Sequence, residues 1–128
     1  MDRSARRRYR PAIAFATLVL VVSLVPAPET GGPTPELLGV ALDKWIHAGS
    51  YGVLTGLAVH GGRRRDLLAV GAVAALVVGY GVGIELLQML VPSRSLSGAD
   101  MLANTVGAAL SGIAWLGLVP RTDGAGRT

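Results

Sequence analysis

Four apolar runs alternate with short polar breaks along this chain. They occupy 9–25, 45–61, 67–91 and 99–118, and each is dominated by Val, Leu, Ala, Ile and Gly. A membrane-spanning helix takes about 20 apolar residues, with a range of about 17–25. The third and fourth runs meet that length, while the first two need flanking residues to reach an interface. The first run ends at Pro26-Ala27-Pro28, where proline disfavours further helix. Within the Pro/Gly/Thr-rich connection 29–42, Thr34-Pro35-Glu36 has the form of an N-cap followed by proline at the first helical position. That predicts a short interfacial helix over 35–42. The fold class expected is all-α, an integral membrane bundle of four transmembrane helices.

Composition agrees. The 128 residues are 51% hydrophobic and 16% charged, with a mean hydropathy of +0.51. A soluble domain of this length carries more charge and fewer apolar residues. The chain has no cysteine, which excludes disulfides and thiolate metal sites.

Charge placement orients the bundle. Arg3, Arg6, Arg7, Arg8 and Arg10 precede the first run, Arg63, Arg64 and Arg65 separate the second from the third, and Arg121 and Arg127 follow the fourth. Ten of the twelve basic residues thus fall on one side, leaving only Lys44 and Arg94 on the other. The positive-inside rule makes the crowded side, and both termini, cytoplasmic. The expected organisation is a basic cytoplasmic N-terminus (1–10), a membrane domain (11–119) and a flexible cytoplasmic tail (120–128), in a multi-pass protein of a prokaryotic plasma membrane. Short arginine clusters beside apolar runs are topology signals rather than a groove-binding face, so membrane lipids, not nucleic acid, are the expected partners. An oligomer is compatible with the sequence. The first run also has the layout of a cleavable signal peptide, with a cleavage point after Ala27. A retained helix is the favoured reading, because a polytopic protein does not need a cleavable signal.

Against this apolar background stand three polar groups: Asp43, Lys44, His47 and Tyr51; Glu85, Gln88 and Arg94; Asp100 and Asn104. A charge in the bilayer costs several kcal/mol unless paired or hydrated, which makes each such residue a site candidate. On the expected topology all three groups lie at the outer ends of their helices. Glu85, six residues before the end of its run, would be about 9 Å deep at about 1.5 Å per residue. Asp43, His47 and Tyr51 follow i, i+4, i+8 and share a face, Glu85 and Gln88 follow i, i+3, and Asp100, Asn104, Gly107 and Ser111 form a stripe. Three helices carrying polar residues at one depth predict one shared pocket. Gly52-x-x-x-Gly56, Gly79-x-x-x-Gly83 and Gly107-x-x-x-Ser111 fit close helix approach.

Structural roles compete for several of these positions. Ser97 can cap the fourth helix with Asp100 in its first turn, and Asp43 can cap the second. Lys44 and Arg94 can be snorkelling anchors, Trp45 and Trp115 interfacial anchors at opposite sides, and His60 a surface residue at the inner boundary. Glu85 resists such explanations: inside GYGVGIELLQML an acid must be protonated, paired or hydrated, and Arg94, Lys44 and His47 are its available partners. A metal set from Asp43, His47, Glu85 and Asp100 is chemically possible. One histidine with carboxylates on separate helices is a weak signal, however, and neither metal nor cofactor is expected. Gly79-Tyr80-Gly81-Val82-Gly83 lacks the spacing and βαβ context of a dinucleotide fingerprint.

Taken in order, Asp43-Lys44-x-x-His47-x-x-x-Tyr51, Glu85-x-x-Gln88-x-x-x-Pro92-x-Arg94 and Asp100-x-x-x-Asn104-x-x-Gly107 resemble the VanZ-like family, over about 43–112. The resemblance implies a small polytopic membrane protein with a cell-envelope role, the family's namesake being linked to low-level resistance to the glycopeptide teicoplanin.

The function expected is an extracytoplasmic polar pocket that binds an envelope component: a lipid head group, a lipid-linked precursor or a glycopeptide. Asp43, Lys44, His47, Tyr51, Glu85, Gln88, Arg94, Asp100 and Asn104 would form it, with Lys44 and Arg94 meeting phosphate or carboxylate groups. The alternative is an intramembrane enzyme on a lipid or lipid-linked substrate, with His47, Glu85 and Asp100 as catalytic candidates. A proton-coupled transporter using Glu85 ranks third, since alternating access usually needs a repeat or an oligomer.

Overall fold

The computed structural model describes residues 1–26, 32–92 and 94–118. The tail 120–128, the proposed cleavage point after Ala27, and Arg121 and Arg127 lie outside the described residues. Within them the chain forms four helices: α1 (Arg3–Leu24), α2 (Leu42–Gly62), α3 (Leu67–Gln88) and α4 (Gly98–Leu118). The all-α expectation holds, and each helix coincides with an apolar run.

The helix ends follow from local chemistry. Asp2 caps α1, accepting from the backbone N of Ser4 at 2.6 Å and of Ala5 at 2.9 Å. Helix therefore begins inside the basic N-terminal segment, ahead of the apolar run. Arg63 ends α2 in the left-handed conformation (φ 54°), its N–H reaching the carbonyls of Val59 and His60. Three residues later Asp66 caps α3, accepting from Ala69 N at 2.9 Å. Ser97 Oγ accepts from Asp100 N at 3.2 Å, so the cap expected for α4 is present.

One expectation fails. In place of an interfacial helix over 35–42, a two-stranded antiparallel hairpin pairs β1 (Glu36–Leu37) with β2 (Val40–Ala41). Its two-residue turn places Leu38 at φ 55° and Gly39 at φ 76°, the positive pair of a type I′ turn. Glycine supplies one of those values at little cost. The Thr34-Pro35 signal was outweighed by this turn, and the helix starts only at Leu42.

The helices alternate in direction. Lys44 of α2 meets Asp100 of α4 at one end, where Gln88 of α3 also bonds Ser23 of α1. At the opposite end Arg8 Nε donates to Gly61 O, and Trp115 Nε1 donates to Arg64 O. Hence α2 and α4 run parallel to each other and antiparallel to α1 and α3. The α2–α4 pair packs most tightly. A Cβ on Gly107 would run into the Ala48 carbonyl, one on Gly52 would sit 3.2 Å from Gly107 O, and one on Gly56 would sit 3.3 Å from Ser111 Oγ. Two of the three small-residue motifs therefore build this crossing. Gly79 and Gly83 meet nothing within 4 Å, so the third motif is not a packing seam within the chain.

The bundle is apolar outside and partly polar inside. Leu18, Val53, Leu76, Leu102, Leu110 and Ile113 are exposed, while Thr55, Glu85, Gln88 and Asn104 are buried. A soluble bundle sorts the other way. Among the described residues, α3 and α4 are long and apolar enough to cross a membrane.

Candidate functional site

The polar cluster is assembled where the first turns of α2 and α4 meet the last turn of α3. Because α2 extends back to Leu42, Asp43 and Lys44 lie within its first turn. Asp43 makes no capping bond there; the N-cap position is Ala41, without a side-chain cap. Instead Lys44 Nζ lies 2.6 Å from Asp43 Oδ2 and 2.5 Å from Asp100 Oδ1. An ammonium in the first turn of a helix opposes the helix dipole, and two carboxylates in first turns offset it.

One turn further, His47 Nδ1 lies 3.0 Å from Asn104 Oδ1. Nδ1 donates in the tautomer that pairs it with the Asn104 oxygen, and Nε2 lies 3.6 Å from Asp100 Oδ2. Glu85 enters from α3. It is 1% exposed and heads the largest fully buried side chains. Its Oε2 accepts from Ser97 N at 3.3 Å. Because α3 stops at Gln88 rather than 91, Glu85 is one turn from the helix end, shallower than the sequence implied. Donor atoms of His47, Glu85 and Asp100 all lie within 4.8 Å of one another.

Tyr51 forms the floor. It is buried, and Gly81 makes room for it: a Cβ there would lie 2.7 Å from the Tyr51 ring and 3.0 Å from Asn104 Nδ2. Glycine at 81 thus lets α3 approach both site residues.

Two expected members lie elsewhere. Gln88 donates to Ser23 O at 2.8 Å, and an Arg94 terminal nitrogen donates to Val25 O at 2.8 Å. Both tie α3 and its following loop to the end of α1. Neither cation is paired with Glu85 among the described residues: Lys44 is held by Asp43 and Asp100, and Arg94 by a backbone carbonyl. Sequence reasoning passed over the contribution of α1. A cavity of about 290 Å³ opens between α1 and α2, lined by Phe15, Leu18, Val19, Val22 and Ile46, with Ser23, His47, Ser50 and Tyr51 also on its wall. The α1 lining recurs at helical spacing (15, 18, 19, 22), a pattern indistinguishable in sequence from any lipid-facing stripe.

The tryptophans mark the two ends. Trp45 Nε1 donates to Leu37 O at 3.0 Å on the hairpin, and Trp115 bonds the α2–α3 connection while its ring meets His60 edge-on at 5.8 Å. His60 is exposed at that end, as expected.

The fold and the cluster define a small helical bundle, membrane-type in its polarity, with one polar site at the end where α2 and α4 begin. The chain belongs to the VanZ/LLP1 family, whose model matches residues 5–119. No curated protein and no solved structure matches it. Family membership and the two apolar helices together support a membrane protein.

Proposed function

We propose that all four helices cross a prokaryotic plasma membrane with both termini cytoplasmic, and that the site binds an envelope lipid head group or lipid-linked precursor on the extracytoplasmic side. The observation that carries this reading is the junction of the α1–α2 cavity with the polar cluster at His47. An amphiphile needs both parts: an apolar slot for its chain and hydrogen-bonding groups for its head. That amphiphilic arrangement favours a lipid or lipid-linked precursor over a free glycopeptide. Membership of the VanZ/LLP1 family supports testing glycopeptide sensitivity as a phenotype. Lys44 and Arg94 are engaged by Asp43, Asp100 and the Val25 carbonyl, so they act in holding helix ends together rather than as free phosphate clamps.

Native mass spectrometry of the purified full chain tests the reading. A co-purifying lipid that is lost in Glu85→Gln and His47→Ala is the expected result. Chains free of bound lipid, together with unchanged envelope and drug phenotypes in cells carrying Glu85→Gln, would overturn it.

A second reading, an intramembrane enzyme on the same class of molecule, is favoured by one observation. His47 has Nδ1 held by Asn104 and Nε2 aimed at Asp100, the arrangement of an oriented acid/base. Turnover of outer-leaflet lipid by purified protein, abolished in His47→Ala, would establish it.

A further inference from the structure

We propose that His47, Glu85 and Asp100 hold one divalent transition-metal ion at the polar end of the cavity. Three helices each contribute one donor residue, and their ligand atoms lie within 4.8 Å of one another. An imidazole and carboxylates bind zinc-class ions at about 2.0–2.2 Å, which sets neighbouring donors about 3.5 Å apart in a tetrahedral site. His47 Nε2 and Asp100 Oδ2 are already 3.6 Å apart.

Two observations beyond the clustering point to a cation. The first is the orientation of His47. Its Nδ1 is taken by Asn104 Oδ1 at 3.0 Å, which leaves Nε2 as the ring atom next to Asp100 Oδ2, 3.6 Å away. At 3.6 Å the two atoms are too far apart for a direct hydrogen bond, and a metal ion between them would engage both. Fixing one ring nitrogen to leave the other for a metal is what outer partners of ligating histidines do. The second is Glu85, 1% exposed, which receives one backbone N–H at 3.3 Å and has no Lys or Arg nitrogen within 4.0 Å among the described residues. Lys44 pairs with Asp43 and Asp100 and leaves Glu85 without a Lys or Arg partner among the described residues. A ligand set of one imidazole and two carboxylates suits zinc or manganese.

This deepens the lipid-binding reading, since such an ion, held by three protein donors, would offer an open coordination position to an anionic head group now that Lys44 is engaged. It is tested without lipid, so the two can fail separately. Tag-free full-length protein in detergent, stripped with chelator, is titrated with Co²⁺ alone and followed by visible absorption, with Zn²⁺ as competitor. One saturable Co²⁺ per chain, displaced by Zn²⁺, is expected. Saturation should disappear in Glu85→Gln and His47→Ala at concentrations that fill the unsubstituted protein. Asn104→Ala, which frees a positioning residue rather than a ligand, should weaken binding roughly 10–100-fold. Circular dichroism reports whether each variant keeps its helices. His47→Cys gives a gain of signal independent of lost folding, because a ligating thiolate adds an intense near-ultraviolet charge-transfer band to bound Co²⁺. Absence of saturable binding by the unsubstituted chain, saturation unchanged in Glu85→Gln, or Co²⁺ bound by His47→Cys without that band would each overturn the proposal.

Discussion

Lys44 Nζ sits 2.5 Å from Asp100 Oδ1, joining the first turn of α2 to the first turn of α4. The same ammonium reaches Asp43, but the two carboxylates differ in burial: the Asp100 side chain is 17% exposed and the Asp43 side chain 50%. Solvent screens the second pair more than the first. Removing one partner of a buried ion pair costs about 3–5 kcal/mol, whereas an exposed pair contributes about 0–1 kcal/mol. Lys44→Met should therefore destabilise the bundle by about 1–3 kcal/mol, below the buried range because the pair is only partly buried. Double-mutant cycles in detergent unfolding should give a Lys44–Asp100 coupling well above the Lys44–Asp43 coupling. Equal couplings would show that the two carboxylates are equivalent partners.

The α2–α4 crossing makes a sharper demand on residue size. Gly107→Ala would drive a methyl group into the backbone of Ala48, which cannot rotate away. Overpacking of this kind costs about 1–3 kcal/mol, occasionally more. Gly79→Ala, at a position with open space on all sides, should be neutral or stabilising by up to about 1 kcal/mol, the helix propensity difference. Thermal unfolding of both variants in one detergent checks the contrast. A Gly107→Ala protein as stable as its parent would mean the helices can separate freely.

Much of this architecture was legible beforehand, for identifiable reasons. Helix positions followed from runs of apolar residues, and Ser97 was readable as a cap from its spacing to Asp100. His47, Glu85, Asp100 and Asn104 converge as their helix phases implied. The losses have physical causes too. The hairpin rests on a Leu38-Gly39 turn, which lacks the Asn-Gly or Asp-Gly pair that normally announces a type I′ turn. Gln88 and Arg94 share the depth of the site but bond backbone carbonyls of α1, and no side-chain pattern reveals where a free carbonyl lies. For Glu85 the sequence left protonation, hydration or pairing with Arg94, Lys44 or His47 open, and Lys44 and Arg94 found other acceptors.

The hairpin yields a prediction of its own. Gly39 at φ 76° occupies the left-handed region, so Gly39→Ala should cost about 1 kcal/mol. Trp45 bonds Leu37 O within this hairpin, so its fluorescence reports the loss. Leu38→Asn, placing a residue tolerant of positive φ at φ 55°, should shift stability the other way. An unchanged Trp45 signal in Gly39→Ala would show that the hairpin does not depend on this turn.

Topology can be tested cleanly because the chain has no native cysteine. Thr34→Cys, just before the hairpin, and Arg64→Cys, in the α2–α3 connection, stand at opposite ends of the bundle and are both exposed. With both termini cytoplasmic, a membrane-impermeant maleimide should label Thr34→Cys in intact cells and Arg64→Cys only after permeabilisation. The reverse pattern would invert the orientation, and labelling of both sites in intact cells would argue against α2 as a span.

The cavity between α1 and α2 offers the most direct separation of ligand binding from structure. Ile46 lines it one residue before His47, and its side chain is largely exposed. Ile46→Trp adds bulk at the mouth of the slot without touching Lys44, Asp100 or the α2–α4 crossing. If an acyl or prenyl chain occupies the slot, this variant should fold normally and lose its co-purifying lipid. Metal binding at His47, Glu85 and Asp100 should persist, because none of the three donors is altered. Loss of both together would mean that the variant disturbs the cluster itself. Retention of lipid would place the chain of the ligand outside this cavity.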